Sequence, residues 1–165
     1  MVHERFEFMM PASCDVVFDA FHYHFWRRRW DSLVHATHVL DGSASPFVGA
    51  VTANRGGGLL RLLAMQTQFI SYQPGRVAAA TMRGRSFPFA RWAASMRHRP
   101  LADGRSVMLY TYRFETSPPV LRWLMEPVTR WLFDWQTRRR FRRMQRFLQA
   151  HRAEVEAWQR AGRPT

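Results

Sequence analysis

Tyr110 and Tyr112 are the side chains whose type and spacing come closest to a chemical function in this sequence. They stand two residues apart in a β-rich segment, and residues at that spacing share one face of a strand. A phenol directed into a cavity can orient a ligand carbonyl or act as a general acid. Alternatively, both are core aromatics whose hydroxyls reach the rim. Gln66 and Arg61 could also orient a ligand, but no motif marks a catalytic set, so the catalytic residues stay unknown.

The histidines and the single cysteine carry weaker signals. His22 with His24, and His35 with His38, are the only close histidine pairs, and no cysteine or acidic cluster completes either of them. We therefore predict no metal site. Cys14 stands near a predicted helix start, where a thiol pKa can fall. Without an identifiable partner it is expected to be a structural cysteine.

The basic residues are all arginine: there are 25, with no lysine, and the formal net charge is +13. This composition excludes Schiff-base lysine chemistry and a P-loop lysine. Gly56-Gly57-Gly58 resembles a phosphate loop only in its glycines, so we expect a hairpin loop over a cavity mouth. We expect no cofactor.

A dense arginine cluster follows in the C-terminal segment. Beside Trp123, Trp131 and Phe133 it is typical of an interfacial helix that touches an anionic membrane. The alternative is a solvated helix face in a chain whose codons favour arginine. Nucleic acid is a less favoured partner, because the aromatics follow helical core spacing and no nucleic-acid-binding signature is present. The candidates for contact with an anionic surface are Arg138, Arg139, Arg142, Arg143 and Arg146.

The elements that must position these side chains can be predicted from periodicity and turn signals. Residues 2–9 alternate as a half-buried strand. Ser13 is the predicted N-cap of a helix, and a second short helix over 25–33 places Trp26 and Trp30 on one face. An antiparallel meander is expected over residues 36–40, 47–53, 60–72, 76–83, 89–99 and 106–116.

The C-terminal segment, about residues 120–160, is predicted to form one long amphipathic helix. Its apolar residues recur at steps of three and four, and we expect the sheet to cover the whole stripe. Pro127 predicts a kink or break near Glu126. The stripe comprises Leu121, Leu124, Val128, Leu132, Trp135, Phe141, Met144, Leu148, His151, Val155 and Trp158.

Strand alternation predicts which side chains face a cavity between the sheet and this helix. Small alanines mixed with methionines and aromatics are compatible with free volume there. The cavity candidates are Phe21, Trp30, Met65, Ala80, Met82, Trp92, Ala94, Met96, Met108, Tyr110, Tyr112, Leu124, Val128 and Leu132.

Several short stretches resemble the START/Bet v 1-like superfamily, in its polyketide cyclase/dehydrase and lipid-transport group. They are Pro11-Ala12-Ser13 with Val16-Val17-Phe18, Trp26 with Trp30-Asp31, residues 87–92, residues 103–107, and Phe133 with Arg140, Met144 and Leu148. The resemblance implies an α+β helix-grip fold, in which a curved antiparallel sheet of about seven strands wraps around the long C-terminal helix, with two short helices after the first strand. It also implies a mostly apolar tunnel that binds lipids, polyketides or quinones.

We therefore expect a single cytoplasmic domain over residues 1–165 that binds a hydrophobic small molecule as a carrier or sensor. One alternative is a polyketide cyclase or dehydratase, and another is a basic adaptor on an anionic membrane or nucleic acid. An enzyme is the less favoured reading, and the sequence does not predict an oligomeric state.

Overall fold

The strands of this protein form one curved antiparallel sheet, with the order β1-β7-β6-β5-β4-β3-β2. The computed structural model describes residues 1–31, 34–56 and 64–164, and the side chains of all of these except residues 34–36. The elements are β1 Val2–Met10, α1 Cys14–His22, α2 His24–Arg27, β2 Val34–Val39, β3 Val51–Gly56, β4 Ala64–Gln73, β5 Val77–Arg83, β6 Phe89–Pro100, β7 Ser106–Thr116 and α3 Arg122–Arg160. The predicted helix-grip architecture is confirmed.

Local hydrogen bonds determine where the helices of the hairpin after β1 begin and end. The Ser13 hydroxyl accepts a hydrogen bond from the Val16 amide at 3.4 Å, as expected of an N-cap. The second helix is shorter than predicted, because the amides of Arg29 and Trp30 bond to carbonyls only three residues earlier and tighten the last turn. The Trp30 indole then donates to the Ala20 carbonyl at 3.0 Å and ties the two helices together.

One strand starts four residues later than predicted. The run expected over 47–53 begins at Val51, because the Ala50 amide bonds to the Phe47 carbonyl at 3.0 Å and closes a turn. The run expected over 60–72 is strand from Ala64 onward, and residues 60–63 lie outside the described part of the chain. The last strand has the predicted bounds.

The strand register confirms the predicted inward face. Ala94 lies opposite Tyr112 and Met96 opposite Tyr110 between β6 and β7. Ala80 lies opposite Ala94 between β5 and β6. Directly paired residues of an antiparallel ladder share a face, so these residues line the same side of the sheet.

The second half of α3, residues 137–160, supplies the core. Phe141, Met144, Leu148 and Val155 are all fully buried, at spacings that place them on one helical face. The helix is unbroken from Arg122 to Arg160, so Pro127 does not end it. Pro127 is the sixth residue of the helix, beyond its first turn, so the helix continues without the hydrogen bond that an amide at this position would donate to the Trp123 carbonyl.

The first half of α3, residues 122–136, does not bury the predicted stripe. Leu132 and Phe133 are half-buried and line the cavity, but six other large apolar side chains, that of the preceding Leu121 included, are exposed. These are Leu121, Trp123, Leu124, Val128, Trp131 and Trp135. The sheet-facing side of this half is instead held partly by polar contacts from Arg130 to Glu4 and from Tyr112 to Asp134. The expectation that the sheet covers the whole stripe was therefore wrong for this half.

Candidate ligand-binding site

A cavity of about 260 Å³ lies between the inner face of the sheet, the α1–α2 hairpin and α3. Its wall is mostly apolar, and the alanines of β5 and β6 leave room because they carry a single methyl group. Nine of the predicted cavity residues lie in this wall. They are Phe21, Met65, Ala80, Trp92, Ala94, Met96, Tyr110, Val128 and Leu132.

The other five predicted residues lie outside the wall. Trp30 and Met108 are packed into the core, where Trp30 is held by its bond to Ala20. Met82 packs against the core on the predicted face but does not reach the cavity. Tyr112 is 1% exposed, with its hydroxyl bonded to Asp134. Leu124 is 53% exposed and belongs to the uncovered stripe of α3.

Hydroxyl and amide side chains of β3 and β4 form a polar stripe in the wall. The hydroxyls of Thr52 and Thr67 are 2.8 Å apart, and the Asn54 amide donates to Thr67 at 3.1 Å. Thr37 in turn donates to the Asn54 carbonyl oxygen at 2.8 Å. These groups satisfy one another, so the stripe is stable without a ligand.

Three arginines that were not predicted from the sequence line the cavity, and two of them, Arg27 and Arg140, contact the same carboxylate. Arg27 comes from α2 and Arg140 from α3. Nε of Arg27 donates a hydrogen bond to Oδ2 of Asp31 at 2.8 Å, and Nη2 of Arg140 forms an ion pair with the same oxygen at 2.8 Å. The Arg140 guanidinium also lies 4.7 Å from the Phe21 ring centroid, a cation–π distance. Burial and the neighbouring Arg140 charge lower the pKa of Arg27.

Both arginines belong to runs of arginine, which usually indicate a solvated face. One signal could have identified Arg140: it stands four residues before Met144 and eight before Leu148, on the buried stripe of the helix. For Arg27 the signal is Asp31, four residues later, at the spacing of a helical ion pair.

His22 also lies in the cavity wall and is buried, whereas the sequence predicted a surface or capping histidine. Its Nδ1 lies 2.9 Å from the Phe18 carbonyl. Burial lowers the pKa of His22 well below its usual range, so the ring is neutral at pH 7. A carbonyl only accepts hydrogen bonds, so Nδ1 carries the proton and Nε2 is left as an acceptor.

Tyr110 and Tyr112 have separate roles. Tyr110 lines the cavity, and burial raises its pKa although Arg140 and Arg27 act in the opposite direction. Burial and Asp134 raise the pKa of Tyr112, which is a structural contact to α3. Both phenols are therefore protonated at neutral pH. Gln66 is exposed on the outer face of β4, and Arg61 lies outside the described residues.

The other sequence candidates bring no reactive group to the cavity. Burial and Asp15 raise the pKa of Cys14, so the thiol is not activated by its helix terminus. In the described part of the chain, no three histidine, cysteine or acidic side chains come together as metal ligands. Of the triple glycine, Gly56 lies in the wall at the end of β3, and Gly57 and Gly58 are outside the described residues.

The five arginines proposed for an anionic surface are all exposed. Two of them lie against aromatic rings: the Arg138 guanidinium is 4.7 Å from the Phe6 ring centroid, and that of Arg139 is 5.4 Å from Trp135. The side chains of Arg139 and Trp135 connect the arginine cluster to the exposed apolar stripe. No helix among the described residues is both long enough and apolar enough to span a membrane.

A curved antiparallel sheet that holds a long closing helix beside an apolar cavity defines the helix-grip class of START and Bet v 1-like proteins. Within that class the chain belongs to the polyketide cyclase/dehydrase and lipid transport family, whose model matches residues 1–149. The resemblance read from the sequence is thereby confirmed.

Solved structures share this fold at low sequence identity. A Thermus thermophilus protein has a TM-score of 0.74 at 11% identity, with coverage of 90% of this chain and 98% of that one. The Zhui aromatase/cyclase of a Streptomyces species has a TM-score of 0.69 at 14% identity and 99% coverage of both chains. A START superfamily protein from Mycobacterium smegmatis has a TM-score of 0.68 at 10% identity, covering 90% of this chain and 97% of that one. No curated protein matches the chain.

Proposed function

We propose that this protein binds a hydrophobic small molecule, such as a lipid, polyketide or quinone-like compound, in the cavity and serves as its carrier or sensor. The observation that carries the proposal is the apolar cavity between the sheet and α3. The family description, which includes lipid transport, supports it.

The size and wall of the cavity indicate how such a ligand is held. Its volume of about 260 Å³ lies just under the usual range of about 300–1,000 Å³ for ligand pockets. A small ligand therefore fits inside, and a longer one projects past Val128, an exposed wall residue. Burial of apolar surface contributes about 25 cal/mol per Å² to affinity.

Filling the cavity tests this proposal. Ala94→Leu adds bulk inside the wall, whereas Ala93→Leu adds the same bulk on the other face of β6. We expect Ala94→Leu to abolish binding of Nile red or 1-decanol, measured by fluorescence and calorimetry, and Ala93→Leu to preserve it. Equal binding by both variants would contradict the proposed location of the ligand.

A second candidate function is a cyclase- or dehydratase-type reaction. It is favoured by one observation: a protonated phenol, Tyr110, and a neutral imidazole, His22, both line the cavity. Such a pair could donate and accept protons at a polyketide carbonyl. Chromatography of a synthetic poly-β-ketothioester incubated with wild-type protein and with Tyr110→Phe tests it, since only the wild-type chain should accelerate cyclisation.

We further propose that the exposed stripe of α3 and the five exposed arginines rest on an anionic membrane. Trp123, Trp131 and Trp135 are suited to the interfacial region, and neighbouring arginines are attracted to anionic headgroups. Val128 belongs to both this surface and the cavity wall. A ligand could therefore pass between the bilayer and the cavity without crossing water.

Vesicle flotation tests the membrane proposal. We expect binding to vesicles that contain phosphatidylserine, weaker binding to pure phosphatidylcholine, and a decrease as salt rises. Trp131→Gln should weaken binding, while Ala153→Gln, at an exposed site in the second half of α3, should not. A wild-type dimer that dissociates in Trp131→Gln would instead assign the stripe to a second copy of the chain.

A further inference from the structure

The buried end of the cavity carries more positive charge than the neighbouring carboxylate compensates. Arg27 and Arg140 share the single carboxylate of Asp31, with both contacts at 2.8 Å. The side chains of Asp31 and Arg140 are 0% and 6% exposed, and that of Arg27 is 12% exposed. Two guanidinium groups against one carboxylate leave one net positive charge in a region shielded from water.

The cavity wall adds to this imbalance. Arg27, Arg55 and Arg140 all line it, and no aspartate or glutamate does so among the residues that the structure describes. The neighbouring His22 and Tyr110 are neutral at pH 7, because burial lowers the pKa of the imidazole and raises that of the phenol. An isolated buried charge is costly, so a site with surplus charge is suited to a partner that brings the opposite sign.

Arg140 also retains unused hydrogen-bonding capacity. Its Nε has no hydrogen-bond partner among the described residues, although the group is buried. A guanidinium presents its donors in a planar fork that matches the two oxygens of a carboxylate or phosphate. The fork lies against the aromatic ring of Phe21, which limits its orientation.

We infer that the ligand is an amphiphile whose anionic head, a carboxylate or a phosphate, is bound by Arg27 and Arg140 while its apolar body fills the cavity. This inference rests on the proposed function and names the ligand class for that site. Asp31 orients both arginines by sharing its carboxylate between them. The polar stripe of Thr52, Asn54 and Thr67 is already satisfied and adds little to the charge selectivity.

The test compares ligands with one apolar chain and different heads. We expect wild-type protein to bind decanoate and decyl phosphate about tenfold to a hundredfold more tightly than 1-decanol in calorimetry, the range for charge-assisted hydrogen bonds. Decylamine should bind more weakly than 1-decanol. The two anions distinguish a carboxylate ligand from a phosphate ligand.

Variants that alter the charge balance keep the test specific. Arg140→Gln should reduce the preference for decanoate over 1-decanol to about onefold to threefold, because Arg27 and Asp31 then neutralise each other. The double variant Arg140→Gln with Asp31→Asn restores one net positive charge and should recover part of the preference. Arg28→Gln, at the exposed position next to Arg27, should leave the preference unchanged.

The outcomes separate this inference from the proposed function. Binding of 1-decanol with no preference for decanoate by the wild-type chain would overturn the inference and leave the carrier function in place. Failure of every ligand to bind would overturn both. A preference that survives unchanged in folded Arg140→Gln would also overturn the inference, since the arginine would then be purely structural. The wild-type ligand series keeps the test decisive if a variant does not fold.

Discussion

Apolar residues recur at helical spacing in both halves of α3, but the two halves contact their surroundings in different ways. The second half, residues 137–160, buries Phe141, Met144 and Leu148 completely. The first half, residues 122–136, leaves Leu124 and Trp131 exposed and is held partly by polar contacts to the sheet. Helical spacing of apolar residues therefore shows that a face is apolar, but it does not show whether the same chain covers it.

The largest expected effect concerns the buried charges that anchor the second half. Asp31→Ala leaves Arg27 and Arg140 without their shared carboxylate and should cost about 3–5 kcal/mol of unfolding free energy. Glu4→Ala removes the ion pair of the first half with Arg130, at the surface, and should cost about 1 kcal/mol or less. Urea unfolding measures both. Equal losses of unfolding free energy would contradict the contrast between the buried Asp31 contacts and the surface ion pair of Glu4 with Arg130.

Two leucines on the same helix provide a matched comparison of packing. Leu148→Ala removes a fully buried side chain and should destabilise the protein by about 2–5 kcal/mol. Leu124→Ala removes a side chain that is 53% exposed and should change stability by about 0.5 kcal/mol or less. A large loss from Leu124→Ala in a monomeric sample would mean that the first half is covered after all.

Acid should destabilise the packing around His98 and α1, the helix that contacts the second half of α3 through Phe21 and Asp19. Burial lowers the pKa of His98, which contacts the Phe18 ring, from 6.5 to about 4. The unfolded chain binds the proton more readily, so stability is full above about pH 6.5 and falls as the pH drops toward 4. His98 alone should account for about 2–3 kcal/mol of that loss.

Variants of two histidines distinguish this contribution. Thermal unfolding of His98→Leu between pH 7 and pH 4 should show a shallower decrease than in the wild-type chain. The exposed His3→Gln variant should follow the wild-type curve. An unchanged slope in His98→Leu would assign the acid sensitivity to other groups, such as the buried His22.

A smaller loss of stability is expected from a polar contact of the first half. Tyr112→Phe removes the hydrogen bond to Asp134 and should cost about 1 kcal/mol. The change should be local: hydrogen exchange should become faster in residues 122–136 and stay unchanged in 137–160. Uniform acceleration over the whole helix would show that the two halves unfold as one unit.

The sequence predicted the sheet and the inward face better than it predicted the site. Alternation with a period of two placed Tyr110, Met96 and Ala80 on one face, and the register confirms this. Turn residues located the hairpins, although the turn at Phe47–Ala50 was read as strand. These features are local, so they can be predicted from neighbouring residues.

The charged end of the cavity could not be predicted in the same way. Arg27 and Arg140 lie far apart in the sequence and come together at Asp31 and the Phe21 ring in the folded chain. Each stands beside other arginines that are exposed, such as Arg28 and Arg139. The distinction between them depends on tertiary contacts that periodicity alone does not determine.

The facing alanines of β5 and β6 have a consequence for how the protein can change over generations. Ala80 and Ala94 lie opposite each other, and both line the cavity. An alanine codon becomes a valine or threonine codon through one nucleotide substitution. Single mutations can therefore narrow the cavity between these two alanines or add a hydroxyl group to its wall. The range of molecules accepted by such a protein can therefore shift by small genetic steps while the buried half of α3 keeps the fold intact.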